Sequence, residues 1–270
     1  MYKKPFAIPF IVFVIAGTII PLFVIAYYGL TDRSGAFTID NLMAILSSEH
    51  AKALWLALLL AFISTLICLI LALPLALILK NSRLGKKGFM VFIFILPMWM
   101  NFLLRTMAWR VLLERGGLIN DVLSLLHLPA LQIINTPVAI VLGMVYDFLP
   151  FMVLPIYNAM LKIDDDVIEA AYDLGASKKR VLWSVILPLS VPGIASGITM
   201  VFVPALTTFA ISNMLGGGKI NLIGNIIEQE FTTAGNWHLG SGLSLIMMVF
   251  IIGSMALLSK LDKNGEGALI

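Results

Sequence analysis

Apolar stretches long enough to cross a bilayer recur along almost the whole chain, at about Phe6 to Leu30, Ala53 to Leu79, Phe89 to Leu113, Pro137 to Leu161, Ile186 to Leu206 and Gly240 to Leu258. About 20 helical residues span roughly 30 Å of hydrocarbon. Backbone amides left unpaired in lipid are too costly to survive, so spans of this kind are helices. The expected fold is therefore all-α and polytopic, with six transmembrane helices. Composition agrees: 60% of the 270 residues are hydrophobic and 12% charged. The mean hydropathy of +1.00 excludes an ordinary water-soluble domain. Lys3 and Lys4 ahead of the first block resemble a signal peptide. The block is too long for one and carries Pro21, Tyr27 and Tyr28 toward its end, so it reads as a retained span.

The net charge of +3 does not point to nucleic acid, because the basic residues sit in short clusters between apolar blocks. With the N-terminus inside, Lys3, Lys4, Lys80, Arg83, Lys86, Lys87, Lys162, Lys178, Lys179, Arg180, Lys260 and Lys263 fall in the cytoplasm. Arg33, Lys52, Arg115 and Lys219 fall outside, while Arg105 and Arg110 interrupt the third block. That asymmetry predicts a multi-pass cell-membrane protein with both termini cytoplasmic. Cys68 is the only cysteine, so neither an intrachain disulfide nor a cysteine-cluster metal site is possible.

One connector, residues 164–188, has a pattern of its own. Asp166 and Glu169 form a capping-box-like start, and Val167, Ala170, Ala171 and Leu174 share a helical face. Gly175 suits a left-handed C-terminal cap, Ser177 an N-cap for a second short helix, and Pro188 the opening of the next span. One reading is an interfacial amphipathic helix. The other is a docking surface: Ala170, Ala171 and Gly175 permit close approach, and Glu169 and Asp173 offer anions to a basic cleft.

Glu169, Ala170, Ala171, Gly175, Val185, Leu187 and Pro188 stand at the spacing of the EAA, Gly and I-x-L-P loop, and in this the chain resembles the type I permease subunits of ABC importers. Val185 departs from the pattern by one methylene. The resemblance implies that the loop is a coupling helix for a separate ATPase dimer, which binds ATP and Mg, so that this chain carries no cofactor or catalytic site. It also implies a second permease subunit and an extracytoplasmic substrate-binding protein. The corresponding division is an N-terminal helix and loop over 1–52, a type-1 transmembrane domain over 53–260 and a tail over 261–270. Within the family, Leu96 to Trp109, Tyr146 to Tyr157 and Glu169 to Ser177 look like the permeases of spermidine/putrescine importers.

A polycationic solute calls for carboxylates and aromatic faces. Asp147, near the middle of the fourth span, is a candidate substrate contact by virtue of its depth, and equally a candidate structural partner of Arg105. Trp99, Arg105, Trp109 and Tyr146 join it as pathway candidates, although tryptophans at such positions also serve as interface-belt residues. Gly193, Ala195, Ser196 and Gly197 predict a close helix contact on the fifth span, and Pro74, Pro97, Pro150, Pro155 and Pro204 mark bends. Gly216, Gly217, Gly218 and Lys219 lack the remainder of a Walker A motif and read as a flexible external loop. His50, His127 and His238 are isolated, and neither HExxH nor GxSxG occurs. A membrane enzyme or an ion-gradient-driven transporter remains the alternative from a different class.

Overall fold

The computed structural model describes residue 9 and residues 12–82 and 96–259. The tails and the starts of the first and third apolar blocks, with Lys3, Lys4, Arg83, Lys86, Lys87, Lys260 and Lys263, lie outside the described residues. Within them the chain is helical, and its β pairing is a single isolated bridge between Thr31 and Phe37. In order, the elements are α1 (Val12–Gly29), α2 (Asp40–Met43), α3 (Ser48–Asn81), α4 (Phe102–Leu113), α5 (Leu118–Leu125), α6 (Pro137–Leu161), α7 (Asp165–Asp173), α8 (Lys178–Leu189), α9 (Val191–Thr207), α10 (Ala210–Leu215), α11 (Ile223–Thr232) and α12 (Trp237–Ser259). Helices α1, α3, α6 and α12 are each long and apolar enough to cross a bilayer, and α8 and α9, bent against each other by 65°, meet the same criterion only when taken together.

The core is a three-helix body of α3, α6 and α9. Lipid tails are as apolar as leucine, so helices gain little by hiding apolar surface from them, and close van der Waals fit decides the packing. Glycine supplies that fit here. A Cβ on Gly193 would lie 2.5 Å from both the Pro155 carbonyl oxygen and the Ala159 Cβ, and one on Gly197 would lie 2.8 Å from the Met152 sulfur. The predicted small-residue seam is thus the contact between α9 and α6. The contacts of Gly193 near the end of α6, and of Gly143 with Ile211 and Leu215 just past α9, run the two helices antiparallel.

The first and last spans form a second pair. Gly29 abuts Gly242 and Leu245, and Gly242 in turn abuts Asn41. The end of α1 is tied down by side chains as well as by backbone turn bonds from Leu30 and Thr31. Asn41 Nδ2 donates to the carbonyls of Gly29 and Thr31 at 3.3 and 3.0 Å, and His238 Nδ1 lies 3.1 and 2.7 Å from those of Tyr28 and Thr31. Carbonyl oxygens only accept, so His238 carries its proton on Nδ1. The histidine expected to be isolated is therefore a cap for the first span.

Two boundaries differ from expectation. The described part of the third span is not one helix: a 3-10 turn at Leu96–Trp99 ends before Asn101, whose side chain accepts from the amides of Leu103 and Leu104 and starts α4 afresh. An asparagine that satisfies the free amides of a new helix competes with continuation of the old one. The fifth span begins at Val191 rather than Ile186. Pro188 belongs to α8, and the axis bends by 65° at Ser190, between the two helices. The helices nevertheless run through Pro74, Pro150, Pro155 and Pro204.

Gly193→Leu forces the side chain into the α6 backbone and is expected to cost about 1–3 kcal/mol or more. Gly253, which has nothing within 4 Å of its would-be Cβ, should accept leucine with no change. A lowered melting temperature in detergent for the first variant alone checks this packing.

Candidate functional site

Two groups of residues stand out, one at mid-depth and one at the end of the bundle. At mid-depth, α6 presents Asp147 and α4 presents Arg105, with side chains 2% and 6% exposed. Arg105 Nη2 lies 3.2 Å from Asp147 Oδ1, and the Thr106 hydroxyl donates to Asp147 Oδ2 at 3.0 Å. Arg105 Nη1 donates to the Pro97 carbonyl at 2.9 Å, spanning the break before α4. Four residues separate Arg105 from Trp109, so both fall on one face of α4. Tyr146 meets that face from α6, with its ring centroid 6.0 Å from the guanidinium carbon and 5.2 Å from the Trp109 ring, edge to face. The structure thus gathers Arg105, Trp109, Tyr146 and Asp147 into one cluster, with Thr106 as a member that the sequence reading missed. Trp99 lies on the preceding turn and is 77% exposed.

The pair is a real ion pair, but an incomplete one. It is not the two-pronged fork that guanidinium and carboxylate make at their best. Arg105 Nε and Asp147 Oδ1 lack a hydrogen-bond partner among the described residues.

At the end of the bundle, residues 164–189 form a helical hairpin. Asp164, not Asp166, caps α7: its backbone is extended and its side chain accepts from the Asp166 amide at 3.2 Å. Helix α7 closes with Gly175 at φ +80, the Gly175 amide bonded to the Tyr172 carbonyl at 2.8 Å and the Ala176 amide to the Ala171 carbonyl at 3.1 Å. This is the Schellman arrangement, and it needs a residue tolerant of the left-handed region. Ser177 then caps α8 through the Arg180 amide, as expected. The apolar face of α7 does not turn inward. Val167 is 47% and Leu174 89% exposed, and Glu169, Ala170 and Asp173 are exposed beside them.

What holds this exposed hairpin is a lysine not singled out in the sequence. Lys80, buried at the end of α3, donates to the Ile163 carbonyl at 3.3 Å and lies 3.9 Å from the Asp165 carboxylate. Toward the other end of the bundle, Asn225 was missed as well. Its Oδ1 accepts from the Ser212 hydroxyl at 2.5 Å and the Leu222 amide at 3.0 Å, and its Nδ2 donates to the Phe209 carbonyl at 3.0 Å and Asn213 Oδ1 at 2.7 Å. Fully buried, it welds α10 to α11. The Gly216–Lys219 segment is likewise a packed turn rather than a loose loop: Gly217, at φ +62, lies against the Asn135 side chain, and the Asn135 amide bonds to the Leu215 carbonyl. Neither feature has a motif; only an asparagine in an apolar neighbourhood hinted at the first. Among the described residues no group of three or more metal-ligating side chains assembles.

Asn225→Leu would leave the buried Leu222 amide without its acceptor and remove the side-chain tie between α10 and α11, at an expected cost of about 2 kcal/mol. A fall in melting temperature of the purified protein in detergent is the check.

Residues 71–264 match the family described as binding-protein-dependent transport system inner membrane component. The chain is 37% identical over 217 residues to the spermidine/putrescine transport system permease protein PotB of Haemophilus influenzae, covering 79% of this chain and 76% of that protein. It is 36% identical over 223 residues to PotB of Escherichia coli, covering 82% and 81%. The inner membrane ABC transporter permease protein YdcU of Escherichia coli is 28% identical over 238 residues, covering 83% and 76%. Among solved structures, a chain of a bacterial ABC transporter involved in the import of alginate superposes with a TM-score of 0.82 at 16% identity, over 98% of this chain and 96% of that one. A chain of the MetNI methionine ABC transporter gives 0.58 at 18% identity, over 79% and 94%. These structural likenesses bear on the fold.

Proposed function

We propose that this chain, which belongs to the family of inner membrane components of binding-protein-dependent transport systems, is a permease subunit of an ABC importer for polyamines of the spermidine and putrescine class. The observation that carries the reading is the α7–α8 hairpin: an EAA-spaced helix with its apolar and acidic side chains turned outward, rooted in the bundle by a buried lysine. The polyamine assignment is supported by the two PotB relatives, each covering more than three quarters of its partner. It is supported also by a carboxylate and two aromatic rings at mid-depth, the groups that attract organic cations.

In this reading Glu169, Ala170, Ala171, Asp173 and Gly175 seat α7 in a groove of an ABC ATPase, which binds ATP and Mg in its own dimer. Both termini face the cytoplasm together with the hairpin, as the basic residues Lys162, Lys178, Lys179 and Arg180 around it favour. A second permease completes the pathway, and an extracytoplasmic binding protein delivers the solute. Residues 53–260 then form the transmembrane domain, with 1–52 and 261–270 as an added helix and a tail. Closure of the ATPase dimer pushes α7, and the push divides. One branch enters α3 and α6 through Lys80 and Ile163; the other enters α8 and passes the bend at Ser190 into α9. ATP thereby biases a two-state bundle through its different affinity for the two arrangements.

Glu169→Lys reverses the charge on the outward face of α7 without touching the bundle. ATP-driven uptake of labelled spermidine by the reconstituted complex should fall at least about tenfold while the permease remains inserted at wild-type levels. Normal uptake with normal ATPase binding would overturn the coupling role.

A further inference from the structure

Resting on the polyamine reading, we propose that Arg105 is a tethered counter-cation, occupying the site on Asp147 that an ammonium group of the substrate takes in passing. Recognition of an alkylammonium needs a carboxylate, an aromatic face and a neutral oxygen. All three converge on one point here, and the guanidinium already sits there: Asp147 at 3.2 Å, the Tyr146 ring at 6.0 Å and the Pro97 carbonyl at 2.9 Å.

The pair is made to be exchanged rather than locked. A single Nη2 faces Oδ1 outside hydrogen-bond geometry, Nε has no partner among the described residues, and Nη1 is committed to Pro97. The two partners also differ in mounting. Asp147 is built into the three-helix core, whereas Arg105 rides on a twelve-residue helix that starts at the Asn101 break. Access is graded in the same sense: Asp147 is buried while Tyr146 is 40% exposed. A cation can therefore meet the ring before it reaches the carboxylate. Exchange also keeps the buried carboxylate neutralised throughout. A bare carboxylate at that depth would cost several kcal/mol, and replacing one cation by another avoids it. Arg105, displaced, keeps its Nη1 bond to one lone pair of the Pro97 carbonyl and leaves the carboxylate and the Tyr146 face to the incoming cation.

The test measures equilibrium binding of labelled spermidine to the assembled permease and ATPase complex in nanodiscs, without binding protein, alongside uptake by the full system. Arg105→Gln removes the competitor, so spermidine should bind roughly tenfold more tightly than to wild type. Arg105→Lys keeps a cation but presents one nitrogen where the guanidinium engages Pro97 and Asp147 with two; it should shift binding in the same direction by less. The neutral pair Arg105→Gln with Asp147→Asn fills the same space and should bind no more tightly than wild type. Unchanged or weakened binding in both Arg105→Gln and Arg105→Lys, or in Arg105→Lys alone if Arg105→Gln does not assemble, overturns the counter-cation role. Equal tightening in the neutral double variant does the same, since it leaves Asp147 out. Wild-type uptake of spermidine in that case leaves the polyamine reading standing, whereas absent wild-type uptake overturns that reading and this inference together.

Discussion

No polar group can be left without a partner in hydrocarbon, and this one requirement shapes most of what the chain does. It makes every span helical and sends hydroxyls back to their own helices. Thr65, Ser190 and Thr199 all donate to the carbonyl four residues earlier. Larger polar side chains are handled by saturation: Asn225 spends both atoms of its amide on four neighbours, and Asn120 bridges Glu114 and Leu131. The same rule, inverted, explains the surface. Phe13, Phe23, Trp55, Ile70 and Val249 are each at least 60% exposed, an arrangement that water would punish and lipid tails accept. Against this background the half-made pair of Arg105 and Asp147 is an exception, and exceptions to saturation tend to mark function.

Packing then decides which parts move together. Gly193 and Gly197 bring the two helices so close that α6 and α9 cannot slide or separate without a large loss of contact. Helix α3 completes this body. Helices α1 and α12 form their own pair, and α4 reaches α6 through polar and aromatic groups: one threonine, one arginine and two rings edge to face. A body with one tight seam and lightly attached neighbours is the kind of object that switches between two arrangements instead of deforming smoothly.

The parts legible in the sequence were those with a repeating or spaced signal. Apolar block length gave the spans at Ala53, Pro137 and Gly240; spacing gave the hairpin, with Gly175 in its left-handed cap and Ser177 at the next N-terminus. The pairing of Arg105 with Asp147 was one of two open readings, because nothing local tells an ion pair from a substrate contact. What was not legible depends on long-range geometry. Lys80 looked like one more basic residue at a cytoplasmic helix end, since its acceptor, Ile163, is far along the chain. The break at Asn101 was hidden because hydropathy averages over one asparagine, and the bend at Ser190 because Pro188 offered a nearer start. The glycines at 216–218 suggested looseness from composition, whereas Asn135 fills the space beside Gly217.

The placement of stiff and hinged elements bears on how a push at one end could open a path at the other. Helix α3 runs unbroken for 34 residues, about 50 Å at 1.5 Å per residue, well beyond the roughly 30 Å of hydrocarbon. Its far end carries the lysine that grips the root of the hairpin, so in the proposed mechanism displacement of α7 reaches the whole depth of the bundle along one rod. Helix α9 receives the same displacement through a 65° bend, which converts a push along α8 into a tilt. Tilting α9 carries α6 with it through the glycine seam, and α6 carries Asp147. Helix α4, starting at its own cap, need not follow. In the proposed mechanism the distance between Asp147 and Arg105 is therefore a coordinate exposed to motion of the hairpin, and this half-made ion pair lies where the two kinds of element meet.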